Sequence, residues 1–116
     1  MKGSSAAHTA LCRSILGELG ALPGVIIGLN PSGRAKYVNE RTGREFVVPY
    51  GWLAPGGPDL IAAVAPFGRM VALEVKSGNA SPTKEQRACL DALRAVGVRC
   101  AVVHSVAEAR AALAVS

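Results

Sequence analysis

The sequence predicts an α/β (α+β) fold, a mixed β-sheet flanked by helices, with elements in the order αβββαβα and an extra hairpin. Three observations carry this. Apolar residues recur at helical spacing near the start of the chain and in two later stretches. Short apolar runs of strand length, bounded by Gly and Pro, lie between them. The last part of the chain alternates strand, helix, strand, helix, which lays helices on a sheet. The 116 residues suit one domain, 1–116, and half of them are apolar, enough for a real core. Aromatic residues are scarce, so Val, Leu, Ala and Ile must fill it.

The first helix is expected over residues 5–19, where Ala7, Leu11, Ile15 and Leu19 recur every four residues as one apolar stripe. Gly20 and Pro23 end it. "GVIIGLN" then reads as a short strand. "PSGRAKYVNERTGREFVVPYG" resembles a polar hairpin, with Gly-bearing turns at Ser32-Gly33 and Thr42-Gly43. "WLAPGGP" is a loop. "DLIAAVA" and "RMVALEV" are strands joined through Pro66, Phe67, Gly68 and Arg69. The second helix is "TKEQRACLDALRAV", opened by a Thr83/Gln86 capping box and stopped by Gly97. "VRCAVVH" is the last strand, and a Ser105/Glu108 box opens the last helix, "VAEARAALA".

The formal charge is +5, a lean toward polyanionic partners. No apolar run reaches the length of about 20 residues that spans a bilayer, so no membrane partner is expected. The start of the chain reads as an amphipathic helix and not as a signal peptide. Cys12, Cys89 and Cys100 are odd in number, far apart and outside any CxxC pattern. They indicate neither a structural zinc nor a disulfide framework, and a reducing, cytoplasmic setting is the simplest.

The stretch "GGPDLIAAVAPFGRMVALEVKSG" puts an acid at the front of two apolar strands and an acid and a base at their back. If Ala65 pairs with Met70 across the turn, Asp59 falls opposite Lys76, with Glu74 diagonal to it. Alternation then places all three on one face. Two converging carboxylates repel, and a hard divalent ion relieves that cost. Lys76 beside them would orient or deprotonate a water, or stabilise charge on a phosphate. Such a set suits phosphodiester hydrolysis. The other reading of the spacing is a Glu/Lys surface pair and an unrelated Asp in a Gly-Pro turn.

The run "GGPDLIAAV…VALEVKSG…TKEQRACLDALRAVGVRCAVVHSVAEA" resembles the VRR-NUC branch of the PD-(D/E)XK nucleases. Pro58-Asp59 is followed, after fourteen intervening residues, by Glu74-x-Lys76, and Gln86 falls at the start of the next helix. "NPSGRAKY" and "VVPYGWLAPGGPDL" are similar to the hairpin and Gly-rich approach of small stand-alone phage-type members. The likeness covers roughly residues 30–113. It implies a restriction-endonuclease-like core and catalytic roles for Asp59, Glu74, Lys76 and Gln86. Asp59, Glu74 and the Val75 carbonyl would bind Mg²⁺ or Mn²⁺, Lys76 would serve the nucleophilic water, and Gln86 would hold the site or the scissile strand. Helical spacing also puts Gln86 on a stripe with Cys89, Leu90, Leu93 and Val96. The alternative is a glutamine that serves only the cap of Thr83. Relatives usually carry an acid on the first helix. Here His8 falls near that position, and Glu18 is the only acid on that helix. Either one substitutes, or the support is missing and His8 is a packing residue.

Arg34, Lys36, Arg41 and Arg44 on the hairpin, with Lys84 and Arg87 beside Gln86, would neutralise phosphates on both sides of the site. A solvated, charged edge is the other reading of the hairpin. Tyr50 and Trp52 are open as core, interface or stacking residues. No base-reading helix is evident, so the expected partner is DNA recognised by shape, branched or junction DNA, rather than by sequence. Similarity to four-way (Holliday) junction resolvases implies a homodimer. The function expected is thus a metal-dependent, structure-selective endonuclease. The alternative is a DNA-binding module of weak or no activity on the same fold, and a third possibility is a small interaction protein whose charge is incidental.

Overall fold

The computed structural model describes residues 5–114, so the outermost positions of the expected 1–116 domain lie outside the described residues. The elements follow in the order α1 (Ala6–Gly20), β1 (Val25–Leu29), β2 (Gly33–Val38), β3 (Glu45–Tyr50), β4 (Leu60–Val64), β5 (Arg69–Val75), α2 (Lys84–Ala95), β6 (Arg99–Val103) and α3 (Val106–Ala114). This is the expected αβββαβα order with an added hairpin. Ser5 caps α1 by accepting the His8 N–H. The buried residues of α1 are Cys12, Ile15 and Leu19, while Ala7 is exposed. A strict four-residue spacing drifts by about 40° per step around a helix of 3.6 residues per turn, which carries Ala7 off the face. The vacated end of the stripe falls to His8, and Cys12 follows it.

The main sheet runs β1-β4-β5-β6. β1, β4 and β5 pair antiparallel, and β6 lies parallel to β5. That parallel step requires a crossover, which α2 supplies. Leu60, Ala62 and Val64 of β4 and Val71, Leu73 and Val75 of β5 face α1 and α3, where Ile15, Leu19, Ala109 and Leu113 close the core. The opposite face holds Ala72 and Glu74, and α2 contributes buried Leu90 and Leu93. α2 packs on β6 and leaves the β1 and β4 half of that face open, with Ile26 and Ala63 exposed. Val96, expected on the inner stripe of α2, is 79% exposed because it lies past the last helical residue, at the C-cap.

The hairpin turn differs from the expected one. Val64 pairs with Arg69 and Leu60 with Leu73, so the turn comprises residues 65–68, one residue earlier than expected. Asp59 therefore continues the ladder opposite Glu74 instead of opposite Lys76. The early turn is fixed by β1, since the Ala65 N–H donates to the Gly24 carbonyl. The partner changes by two residues and not one, so the facial assignment survives.

β2 and β3 form a separate two-stranded ribbon. Gly33 begins β2 rather than a turn, and Thr42-Gly43 lies in the connection. Cross-strand partners share a face, so the ribbon has two unlike sides. Ala35, Tyr37, Phe46, Val48 and Tyr50 share one, with the Tyr37 and Phe46 rings stacked 5.6 Å apart. Arg34 and Lys36 share the other, where Lys36 pairs with Glu45 at 3.0 Å. The expectation of a polar hairpin holds only in part, since exposed Val38 and Val47 lie on the side of Arg34, Lys36 and Glu45.

Candidate active site

Glu74, the next-to-last residue of β5, meets Asp59, which immediately precedes β4, at one end of the sheet. The Asp59 Oδ2 accepts the Val75 N–H at 2.8 Å, which fixes the carboxylate over the end of β5. The same Oδ2 lies 3.4 Å from His8 Nε2, so α1 approaches from the other side. Lys76 follows the last residue of β5, and its N–H donates to the Val103 carbonyl, extending the parallel ladder by one bond. Its Nζ stands 3.4 Å from Glu74 Oε2.

Glu74 is 1% exposed, and its Oε1 is buried without a hydrogen-bond partner among the described residues. Burial pushes its carboxyl up to about 8, aided by the Asp59 charge and a hydrogen bond shared with Asp59, while Lys76 pulls it down. A buried, half-satisfied carboxylate beside a second one is costly when both are ionised. A hard cation between them removes that cost, and two carboxylates with a nearby backbone carbonyl are an all-oxygen donor set of the kind Mg²⁺ accepts. The residues present thus fit such an ion. Burial, then the charges of Asp59 and Glu74, also push the Cys12 thiol up to about 11.

The position of Asp59 depends on Asn30, a residue the sequence reading placed only at a strand end. Its side chain donates to the carbonyls of Trp52 and Pro58, both at 2.9 Å, and accepts the Trp52 N–H at 2.9 Å. Its own N–H donates to the Asp59 carbonyl at 2.8 Å. Asn30 thereby clamps both ends of the loop that delivers Asp59. A polar residue closing an apolar strand, followed by Pro, was the available signal. The glycines of that loop follow from crowding. A Cβ on Gly57 would overlap the Trp52 carbonyl, and one on Gly56, at φ +94°, would lie 2.9 Å from the Glu85 carbonyl. The latter contact seats the loop on the first turn of α2.

Gln86 is half-buried and completes a capping box, its Oε1 accepting the Thr83 N–H at 2.8 Å. One turn on, burial and then the Glu74 charge push the Cys89 thiol up. Glu18 is exposed and ten residues beyond His8, about 15 Å along α1. Of the two α1 residues singled out, only His8 joins the cluster. Cys12 joins it too, with Sγ 3.8 Å from His8 Nε2, although the sequence reading gave it no site role. Arg41 and Arg44 lie at the exposed hairpin tip, and Lys84 and Arg87 are exposed on the first turn of α2, where Arg87 donates to the Pro82 carbonyl.

A mixed sheet with two acids and a lysine gathered at its end, flanked by helices, is the layout of a nuclease-type domain. The chain belongs to the VRR-NUC domain family, whose model matches residues 36–107. It is also similar to a solved structure described as a VRR_NUC domain, 21% identical, with a TM-score of 0.57 over 92% of this chain and 94% of that one. At that identity the likeness speaks for the restriction-endonuclease-like fold. No curated protein matches the chain. Among the described residues no helix is long and apolar enough to cross a membrane.

Proposed function

We propose that the chain is a metal-dependent, structure-selective DNA endonuclease of the small stand-alone type, acting on branched DNA such as a four-way junction. The observation that carries this is the buried Glu74 Oε1, without a partner among the described residues, beside Asp59 and Lys76. Asp59, Glu74 and the Val75 carbonyl would hold Mg²⁺ or Mn²⁺. Bound there, the ion would supply Lewis-acid activation of the phosphodiester and a more acidic water. The residues do the rest. Lys76, 15% exposed at its side chain and 3.4 Å from Glu74, would orient the attacking water and offset charge building on the phosphate. Gln86, whose capping box fixes the start of α2, would hold the site or the scissile strand.

DNA lies along the open half-face of the sheet, between Arg34, Lys36, Arg41 and Arg44 on one side and Lys84 and Arg87 on the other. These contacts read backbone shape and not bases. Two symmetric incisions across a junction need two sites, and each chain carries one. The exposed apolar side of the hairpin, Tyr37, Phe46, Val48 and Tyr50, together with its unpaired strand edges, suits a second copy of the chain. A single domain and a cytoplasmic location complete the reading.

The test is cleavage of labelled linear, flap, fork and four-way substrates with Mg²⁺, Mn²⁺ or chelator. Cutting of branched DNA that requires the metal and disappears in Lys76→Ala is the expected result. Salt-sensitive DNA binding without cutting in either metal would support the non-catalytic reading instead, which the lack of an acid near His8 on α1 motivates. Absence of DNA binding at low salt would remove both.

A further inference from the structure

We infer that His8, Cys12 and Asp59 form a binding site for a borderline transition ion of the Zn²⁺ or Co²⁺ class, adjoining the all-oxygen site of Glu74 and sharing Asp59 with it. His8 and Cys12 are four residues apart on α1 and so share one face, one turn above the other. Asp59 arrives from the loop before β4. The three donor atoms lie within 4.8 Å of one another. The separations also suit one ion. His8 Nε2 is 3.4 Å from Asp59 Oδ2 and 3.8 Å from Cys12 Sγ. A tetrahedral centre with metal–donor bonds of about 2.0–2.3 Å has donor-to-donor edges of about 3.3–3.7 Å. Two edges already lie close to that range, and the Asp59–Cys12 edge, within 4.8 Å, shortens as the three donors close on an ion.

The donor set decides the class of ion. Thiolate and imidazole are poor ligands for Mg²⁺ and good ones for Zn²⁺ and Co²⁺, whose affinity for mixed N, S and O sites is intrinsically higher. Three protein donors leave a fourth position open, and a cavity of about 290 Å³ bounded by Thr9, Arg13, Leu29 and Asn30 gives access from solvent. Binding releases the thiol proton of Cys12 and places the imidazole proton on Nδ1, leaving Nε2 free to coordinate. In the metal-free chain Nε2–H faces the accepting Asp59 Oδ2 at 3.4 Å, a long contact that the ion replaces, and Nδ1 is buried with no partner among the described residues. The inference stands on the geometry of these three side chains, of which Asp59 is shared with the proposed nuclease site.

Cobalt titration tests it without any activity assay. Co²⁺ added to the reduced, metal-free chain is expected to give a thiolate-to-cobalt charge-transfer band saturating at one ion per chain and bleached by Zn²⁺. Cys12→Ser abolishes the band, whereas Cys89→Ser and Cys100→Ser retain it. His8→Ala, at a partly exposed position, weakens Co²⁺ binding by at least about tenfold, the loss typical of even an outer-shell partner, and serves where Cys12→Ser fails to fold. No band in the wild-type chain, or a band that follows Cys89 or Cys100, overturns the inference. A missing band with intact Mg²⁺-dependent cleavage removes this site alone. A cobalt band without cleavage removes the nuclease reading alone.

Discussion

Replacing Glu74 by Gln removes the most strongly perturbed carboxyl in the molecule without removing its bulk. Glu74 titrates at about 8 in the fold against an ordinary 4.5. The folded chain therefore binds this proton more tightly than the unfolded chain. The stability it contributes is complete below about pH 4.5 and is lost as pH rises toward and through 8. Each pH unit in that window is worth about 1.4 kcal/mol, so wild type is expected to lose ~3 kcal/mol by pH 7 and roughly 5 kcal/mol by pH 9. Glu74→Gln lacks this loss, since an amide does not ionise. Urea unfolding in chelator from pH 5 to 9 measures both. The variant is expected to be the more stable chain at pH 8 and above, with the two curves converging toward pH 5. Mg²⁺ should flatten the wild-type profile and leave the variant unchanged, because only the ionised pair gains from a cation. Parallel profiles for the two chains in chelator would refute the reasoning, for they would mean that Glu74 ionises as freely in the fold as outside it.

Two further outcomes follow from the same geometry. Gly56→Ala forces a Cβ toward the Glu85 carbonyl at a left-handed backbone angle, and a cost of about 1–3 kcal/mol is expected, read by urea unfolding. Its nuclease activity should fall further than its stability, because the displaced loop carries Asp59. Arg34→Ala together with Lys36→Ala should weaken binding to branched DNA equally across base sequences and flatten its log–log salt dependence by about 1 per lost phosphate contact, read by fluorescence anisotropy at several salt concentrations.

Most of the fold was legible in the sequence because its signals are local. Capping residues at Thr83 and Ser105, Gly97 after α2 and the strand-length apolar runs each state their element without reference to the rest of the chain. Even so, the second box differs in detail. Ser105 accepts the Glu108 N–H as expected, but the Glu108 carboxylate reaches back to the His104 N–H at 2.7 Å, one residue further than a reciprocal box. The facial grouping of Asp59, Glu74 and Lys76 was legible for a related reason. It depends on the parity of the hairpin register, and a shift of two residues preserves parity while changing the partner.

What could not be read was everything set by contacts distant in sequence. The exact register depends on Gly24, some forty residues from the turn it fixes. The stripe on α1 was misassigned by one position because Ala7 and His8 differ only in what stands opposite them, and Asp59 stands opposite His8. Asn30, closing an apolar strand before Pro31, marks a special position, but nothing local says that its amide will hold Trp52 and Pro58. These distant contacts converge on Asp59. Its carbonyl is held by Asn30, its carboxylate by the Val75 N–H, and its outer side faces the His8 imidazole. A carboxylate needed only for the stability of the sheet would not require three separate elements to position it. Held this way, Asp59 faces Glu74 closely enough to raise its carboxyl, and the cost of ionising both acids together is what a cation would relieve.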